Sequence, residues 1–276
     1  MPRSQKKDPK DKSYVRAMFD EIANRYDFLN HSLSCFQDVL WRRACCKDLR
    51  RILMSDGNCS DKDSVREKNC SHKNCSRVRL LDLCGGTGDF AVTYEKFNGK
   101  PDVAILGDFS FGMLQGSSGK KTCAKPVQLD AMKMPFSDGA FDVILNGFGM
   151  RNLPNACGGL RESARVLNDG GYFQILEFFS PRNAFNKFFY KVLAPLFIPV
   201  MGTFFSKRDA YEYLVNSVLQ FLPVADFVKL AEENGFELVH VKPCFFGVAY
   251  RVLLRKCGGS EVAHERNCKV AREVAP

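Results

Sequence analysis

A chain of 276 residues with 45% apolar side chains is long enough for one large domain or two small ones, and apolar enough to bury a core. A net charge of +9 permits contact with anionic surfaces, but the basic residues are dispersed, with no stripe or added module of the kind that binds nucleic acid. The opening MPRSQKKDPKDKSY has no apolar stretch, so it is not read as a signal peptide; a cytoplasmic protein is expected, with its twelve cysteines reduced and the sequons at Asn58, Asn69 and Asn74 without meaning.

Residues 1–12 form a basic arm with Arg3, Lys6, Lys7, Lys10 and Lys12, either a solubilising tail or a contact for an anionic membrane surface. Residues 13–54 read as N-terminal helices. Val15, Met18, Phe19, Ile22 and Tyr26 share one helical face, and a second helix covers roughly 35–53, with Cys45 and Cys46 inside it. Residues 55–78 are a polar insertion or linker. Its Cys59, Cys70, His72 and Cys75 match no standard zinc spacing, so no metal is assigned.

From residue 79 to 256 apolar runs alternate with helical segments. RLLDLC, VAILGDFS, PVQLDA, FDVILNGFG and GYFQILEFF are five strands; FELVHVKPC and GVAYRVLLR, after the helical DFVKLAEENGF, are two more. Seven such strands imply an α/β fold, a Rossmann-like, mostly parallel sheet with helices on both faces. Residues 257–276 form a polar tail expected to be disordered.

The turn LLDLCGGTGDF carries the most chemistry. A strand holding Asp82 runs into Gly85, Gly86 and Gly88, where backbone can approach a ligand and feed a helix N-terminus. Gly86 to Ala91 also fits the dinucleotide pattern G-x-G-x-x-A, which leaves an NAD-dependent dehydrogenase as an alternative. Three acids favour another cofactor. Asp82 would repel a pyrophosphate but suits a sulfonium and its amino group, Asp108 suits ribose hydroxyls, and Asp130, with Ala131, suits an adenine amino group. That set fits S-adenosylmethionine; the plainer reading makes each acid a helix cap.

Beyond the turn, the chain resembles the ubiquinone/menaquinone biosynthesis C-methyltransferases, a class I S-adenosylmethionine-dependent family. The resemblance rests on Phe19, Ile22, Ala23, Tyr26, Asp27 and Asn30 with Trp41-Arg42; on Leu81 to Asp89; and on Asp108, Ser110, Met113 and Leu114. It continues through Ala131, Met134, Pro135 and Phe136, the F-G-x-R-N segment from Phe148 to Asn152, Leu160 to Leu167, Leu176 to Phe178, and the A-Y-x-Y-L-x-x-S segment from Ala210 to Ser217. It implies cofactor contacts at Asp82, Gly86, Thr87, Gly88, Asp108, Met113, Asp130, Ala131 and Gly147, the last replacing a hydroxyl residue common in the family. Cys84 stands where the general methyltransferase turn has its first glycine, and the C-terminal segment lacks the usual histidine pattern.

The implied reaction is C-methylation of a polyprenylated hydroquinol, without a metal. A phenol loses its proton so that the neighbouring ring carbon becomes nucleophilic, which calls for a proton acceptor and a group that steadies the phenolate. Arg151 is expected to stabilise the phenolate or belong to a water relay, Asn152 to orient that water or the substrate oxygen, and Tyr26 to close over the ring; Asp27, Asn30 and Tyr211 are further candidates. Structural readings stand beside these: Arg151 in an ion pair below the sheet end, Tyr26 on a core-facing helix. Other methyltransferases acting on a lipid or RNA base remain alternatives, as does a noncatalytic partner in quinone synthesis.

Residues 188–205, FFYKVLAPLFIPVMGTFF, hold one charge, yet Pro195, Pro199 and Gly202 break any continuous span. They are read as part of a lid, about 182–222, whose apolar face receives the prenyl tail or rests at the bilayer, with Lys191, Lys207 and Arg208 near head groups. A peripheral membrane protein follows from this reading, and a homodimer is compatible with it.

Overall fold

The computed structural model describes residues 12–23, 27, 31, 34, 36–55, 78–182 and 208–258. The basic arm, most of the polar insertion with its Cys/His set, residues 188–205 and nearly all of the tail therefore lie outside the described residues, as do Tyr26 and Asn30.

Among the described residues the first helices are α1 (Lys12–Ile22) and α2 (Gln37–Ser55). There follow β1 (Arg79–Leu83), α3 (Asp89–Asn98), β2 (Val103–Asp108), α4 (Phe111–Gly116), β3 (Lys125–Gln128), β4 (Phe141–Gly147), α5 (Ala156–Val166) and β5 (Leu167–Glu177). The chain closes with α6 (Arg208–Leu219), α7 (Val224–Glu232), β6 (Phe236–Cys244) and β7 (Ala249–Lys256). The seven strands form one sheet in the order β3-β2-β1-β4-β5-β7-β6. β1 to β5 pair in parallel, and β7 runs antiparallel between β5 and β6. This is the Rossmann-like, mostly parallel sheet that the alternation of strands and helices implies.

Strand alternation sends successive side chains to opposite layers. Leu81, Leu83, Ile144, Phe173, Ile175 and Val252 face Leu160 of α5 and Phe227 of α7. Leu80, Leu106, Val143, Leu145, Leu176 and Leu253 face Trp41, Cys45 and Leu49 of α2, and Phe90 and Tyr94 of α3. Both faces are thereby sealed, as a parallel sheet requires. Fully buried rings such as Phe173 and Phe227 each contribute about 1.5–3 kcal/mol.

Two strand boundaries differ from the sequence reading for a physical reason, while α1 spans Lys12–Ile22 and Tyr26 lies outside the described residues. β3 ends at Gln128, because it is an edge strand holding Pro126, and Asp130 leaves the ladder to bridge Lys133. β5 begins four residues before the expected GYFQILEFF: the turn-like Asn168-Asp169-Gly170-Gly171 is absorbed as a register shift against β4.

Candidate active site

At the carboxyl edge of the sheet, chain connections diverge from β1, which lies between β2 and β4. Ligands of open α/β sheets bind at such a switch point. A cleft opens there. One wall is α1, through Val15, Arg16 and Phe19. Opposite it stand Cys84 and Gly86 after β1, Asp108 to Ser110 and Met113 after β2, Leu129 to Ala131 after β3, and Phe148, Gly149, Asn152, Leu153 and Pro154 after β4.

The glycine turn is shaped by what lies under it. A Cβ on Gly85 would come within 2.4 Å of Leu106 Cδ1 and 2.7 Å of Asp82 Cγ, so a larger residue would displace the strand below. Gly86 and Gly88 take φ of 59° and 88°, the left-handed region glycine favours. Cys84 also adopts positive φ, at 54°.

Asp82 corrects an expectation: it does not line the cleft. It is fully buried beneath the turn, where its Oδ2 accepts from the Ala91 N–H in the first turn of α3. Parity explains this, since Asp82 shares the β1 face of Leu80 and points into the α3 layer. Burial pushes its carboxyl up to about 7. Its other oxygen, Oδ1, is buried without a hydrogen bond. The helix-cap reading holds for this acid.

Asp108 and Asp130 do reach the cleft. Asp108 accepts from the N–H groups of Gly86 (2.9 Å) and Ser110 (2.8 Å), which fix its carboxylate at the rim and leave lone pairs for a ligand's hydroxyls. Burial raises it to about 6 against the pull of those N–H groups. Asp130 Oδ1 accepts from Met132 N–H at 2.9 Å. Met113, Leu129, Ala131 and Phe109 supply an apolar slot between the two acids. Two carboxylates, a left-handed glycine and an apolar slot fit a cationic nucleoside such as S-adenosylmethionine. They suit a pyrophosphate poorly, because among the described residues the one cation in the lining, Arg16, lies 5.4 Å over the Phe109 ring and 3.8 Å from Asp20.

Gly147, Thr87 and Gly88 lie outside the lining. A Cβ on Gly147 would meet the Phe90 ring at 3.2 Å, on the α3 side of the sheet. Gly88 caps α3. The Thr87 hydroxyl donates to Asp27 and accepts from Lys120 Nζ at 2.7 Å, turned toward the N-terminal segment.

After β4, Phe148 sits at φ 60° and stacks on Phe178 with centroids 4.7 Å apart. Its carbonyl accepts from Arg151 Nη1 (2.7 Å) and from the Asn152 amide (3.1 Å). Asn152 lines the cleft and accepts from the Tyr213 hydroxyl at 3.1 Å. Arg151 does not line it. The guanidinium is 7% exposed and pairs with the fully buried Glu177 at 2.6 Å, where Glu177 also accepts from the N–H groups of Arg151 and Phe178. Among the described residues the arrangement of Arg151 is the structural ion pair rather than a group aimed at a substrate. Tyr26 lies outside the described residues, and within the A-Y-x-Y-L segment the Tyr213 side chain reaches Asn152.

Sequence reasoning passed over Glu177, Tyr213, Asp20 and Lys120. Glu177 and Tyr213 sit inside quoted motifs and were available to it; Lys120 lies in no motif. Asp20 accepts from the Ser110 hydroxyl and from Gly112 N–H at 3.0 Å, fastening α1 to the start of α4.

Comparison with known proteins places these residues in context. The profile of the ubiE/COQ5 methyltransferase family matches residues 6–253. The demethylmenaquinone methyltransferase of Chlorobaculum tepidum is 36% identical over 86% of this chain and 90% of its own length. The ubiquinone/menaquinone biosynthesis C-methyltransferase UbiE of Geobacter sulfurreducens is 36% identical over 85% of each. Among solved structures, a SAM-dependent methyltransferase of Thermotoga maritima, described as a possible histamine N-methyltransferase, shares the fold with a TM-score of 0.54 at 16% identity, covering 88% of this chain and 99% of that one.

Proposed function

The chain belongs to the ubiE/COQ5 methyltransferase family, an S-adenosylmethionine-dependent enzyme, and we infer that it transfers a methyl group to a ring carbon of a polyprenylated hydroquinol in quinone biosynthesis. The dehydrogenase alternative falls with that membership. The reading is carried by one observation: end-to-end similarity to relatives named for this chemistry coincides with a switch-point cleft whose acidic half suits the cofactor and whose other half is apolar.

Bound S-adenosylmethionine supplies an electrophilic methyl carbon. Asp108 would hold the ribose hydroxyls and Asp130 the adenine amino group, with Met113, Leu129 and Ala131 around the base and Gly86 leaving room for the chain. The substrate ring belongs against Phe148, Phe19 and Leu153, which exclude water from the reacting carbon. Tyr213 orients the Asn152 amide through its oxygen, and one Nδ2–H serves Phe148. The second Nδ2–H is placed to donate to a substrate oxygen, steadying negative charge after the phenol proton leaves. Arg151 acts from behind, holding the Phe148 carbonyl and, through it, the amide.

A prenylated substrate is dissolved in a bilayer, and no single helix among the described residues is long and apolar enough to cross one. Residues 188–205 and the basic arm are read as the parts that touch the membrane surface. The purified protein, supplied with labelled S-adenosylmethionine and demethylated quinol in liposomes, is expected to place label on the quinol ring. Turnover with NADH and no methyl transfer would overturn the assignment.

A further inference from the structure

Lys120 is absent from every motif, yet its ammonium joins three segments distant in sequence. It follows the 3₁₀ turn Ser117–Gly119 at the end of α4, where its own N–H donates to Ser117 O at 2.9 Å. From there Nζ reaches Asp27 Oδ2 at 2.7 Å, Thr87 Oγ1 at 2.7 Å, and the carboxylate of Asp89, the first residue of α3. Asp89 also takes Arg42 Nη2 at 3.2 Å, so its charge is shared with α2.

One partner, Asp27, follows α1 in the sequence; the other two belong to the glycine turn and the helix it feeds. α1 is a wall of the cleft, through Val15, Arg16 and Phe19. Polar fastenings of this region among the described residues include Asp20 on Ser110 and Gly112, and Asp27 on Lys120 and Thr87. Gly116 leaves room for this approach, since a Cβ there would meet Thr87 Cγ2 at 3.1 Å. The Lys120–Asp27 pair is partly exposed, with side chains 19% and 34% accessible. Such pairs are inexpensive to break.

The geometry points to Lys120 as a positioning residue that holds the N-terminal segment over the cofactor and so sets cofactor retention. The inference rests on the cleft being the cofactor site.

Calorimetric binding of S-adenosylhomocysteine to the full-length protein tests it. Lys120→Met is expected to raise Kd, and KM for S-adenosylmethionine, about five- to tenfold, while kcat at saturating cofactor stays within about threefold. Raising KCl from about 50 to about 300 mM should weaken wild-type binding and leave the variant nearly unmoved, because screening acts on a pair the variant lacks. Lys120→Arg should stay within about threefold of wild type. Asp27→Asn should reproduce the loss, and the double variant should add little to either single change. A purely structural lysine would instead lower Tm and kcat together and leave the salt dependence in place. Wild-type affinity in Lys120→Met or in Asp27→Asn, or additive losses in the double variant, would overturn the inference. No binding by the wild type would overturn the cofactor site with it.

Discussion

Arg151 and Glu177 form a buried pair, so any loss of activity on changing Arg151 confounds chemistry with folding. Removing one partner leaves the other charge uncompensated in the interior, at a cost of about 3–5 kcal/mol. Arg151→Ala is therefore expected to lower stability by that amount in urea denaturation, and the double change Arg151→Met with Glu177→Gln to recover most of it. Activity that stays lost in the double variant would assign Arg151 a role in the reaction. Asp108 gives a pH-dependent test. Its folded value near 6 means that the carboxylate accepts ligand hydroxyls above that pH and is protonated below it. Kd for S-adenosylhomocysteine should be flat above about pH 7 and rise as pH falls toward 5, by up to about tenfold per unit. Asp108→Asn should bind weakly and lose that slope.

The glycine turn is where element-level reading of the sequence both succeeded and stopped. Strand ends are legible because apolar runs stop where the chain leaves the sheet, and acids at or just beyond them, Asp108 and Asp130, face the cleft. Asp82 belongs to the same pattern by residue type, but it lies one residue inside β1, and its parity turns it beneath the turn. What the sequence hides is direction. The contacts of Thr87 and Lys120 are hidden for the same reason, since their partners arrive from segments far along the chain. Asp82 makes the turn sensitive to pH. Its folded value near 7 lies above the ordinary 3.8, so the native state holds a proton that the unfolded chain has released. The stability this contributes is full below about pH 4 and is lost as pH rises through about 7. Asp82→Asn, whose amide oxygen can still accept from Ala91, should remove that decline between about pH 4 and 7 in urea titrations. On the other lip, a Cβ on Gly149 would lie 2.5 Å from Cys84 Cβ and 2.7 Å from Asn146 Nδ2. Gly149→Ala should thus cost about 1–3 kcal/mol of overpacking and weaken cofactor binding, the two lips being forced apart.

Across the whole molecule, α2 is fastened to the last two strands by one carboxylate. Asp48, 5% exposed, meets Arg251 Nη1 at 2.6 Å, Lys242 Nζ at 2.9 Å and His240 Nε2 at 3.4 Å. His240 is held below its usual range, mainly by burial and then by Lys242. Asp48→Ala should destabilise by about 3 kcal/mol, the low end for a broken buried pair because Lys242 can turn to solvent. A fall of about 6–12 °C in Tm would register it. Cys45, Cys46 and Cys244 are buried, with thiols pushed up by burial, so none is a reactive nucleophile.

β7 lies between β5 and β6, and this ordering bears on synthesis. A ribosome releases β6 before the only strand it pairs with exists, and β5 waits with one edge bare until Ala249–Lys256 emerge. During that interval the Ile175–Leu176 row is an open template for other nascent chains. The cofactor edge, built from β1 to β4, needs no such wait. Half of the site is thus in place while the sheet that carries it is still unfinished, and a bound nucleoside could serve the growing chain as an early scaffold.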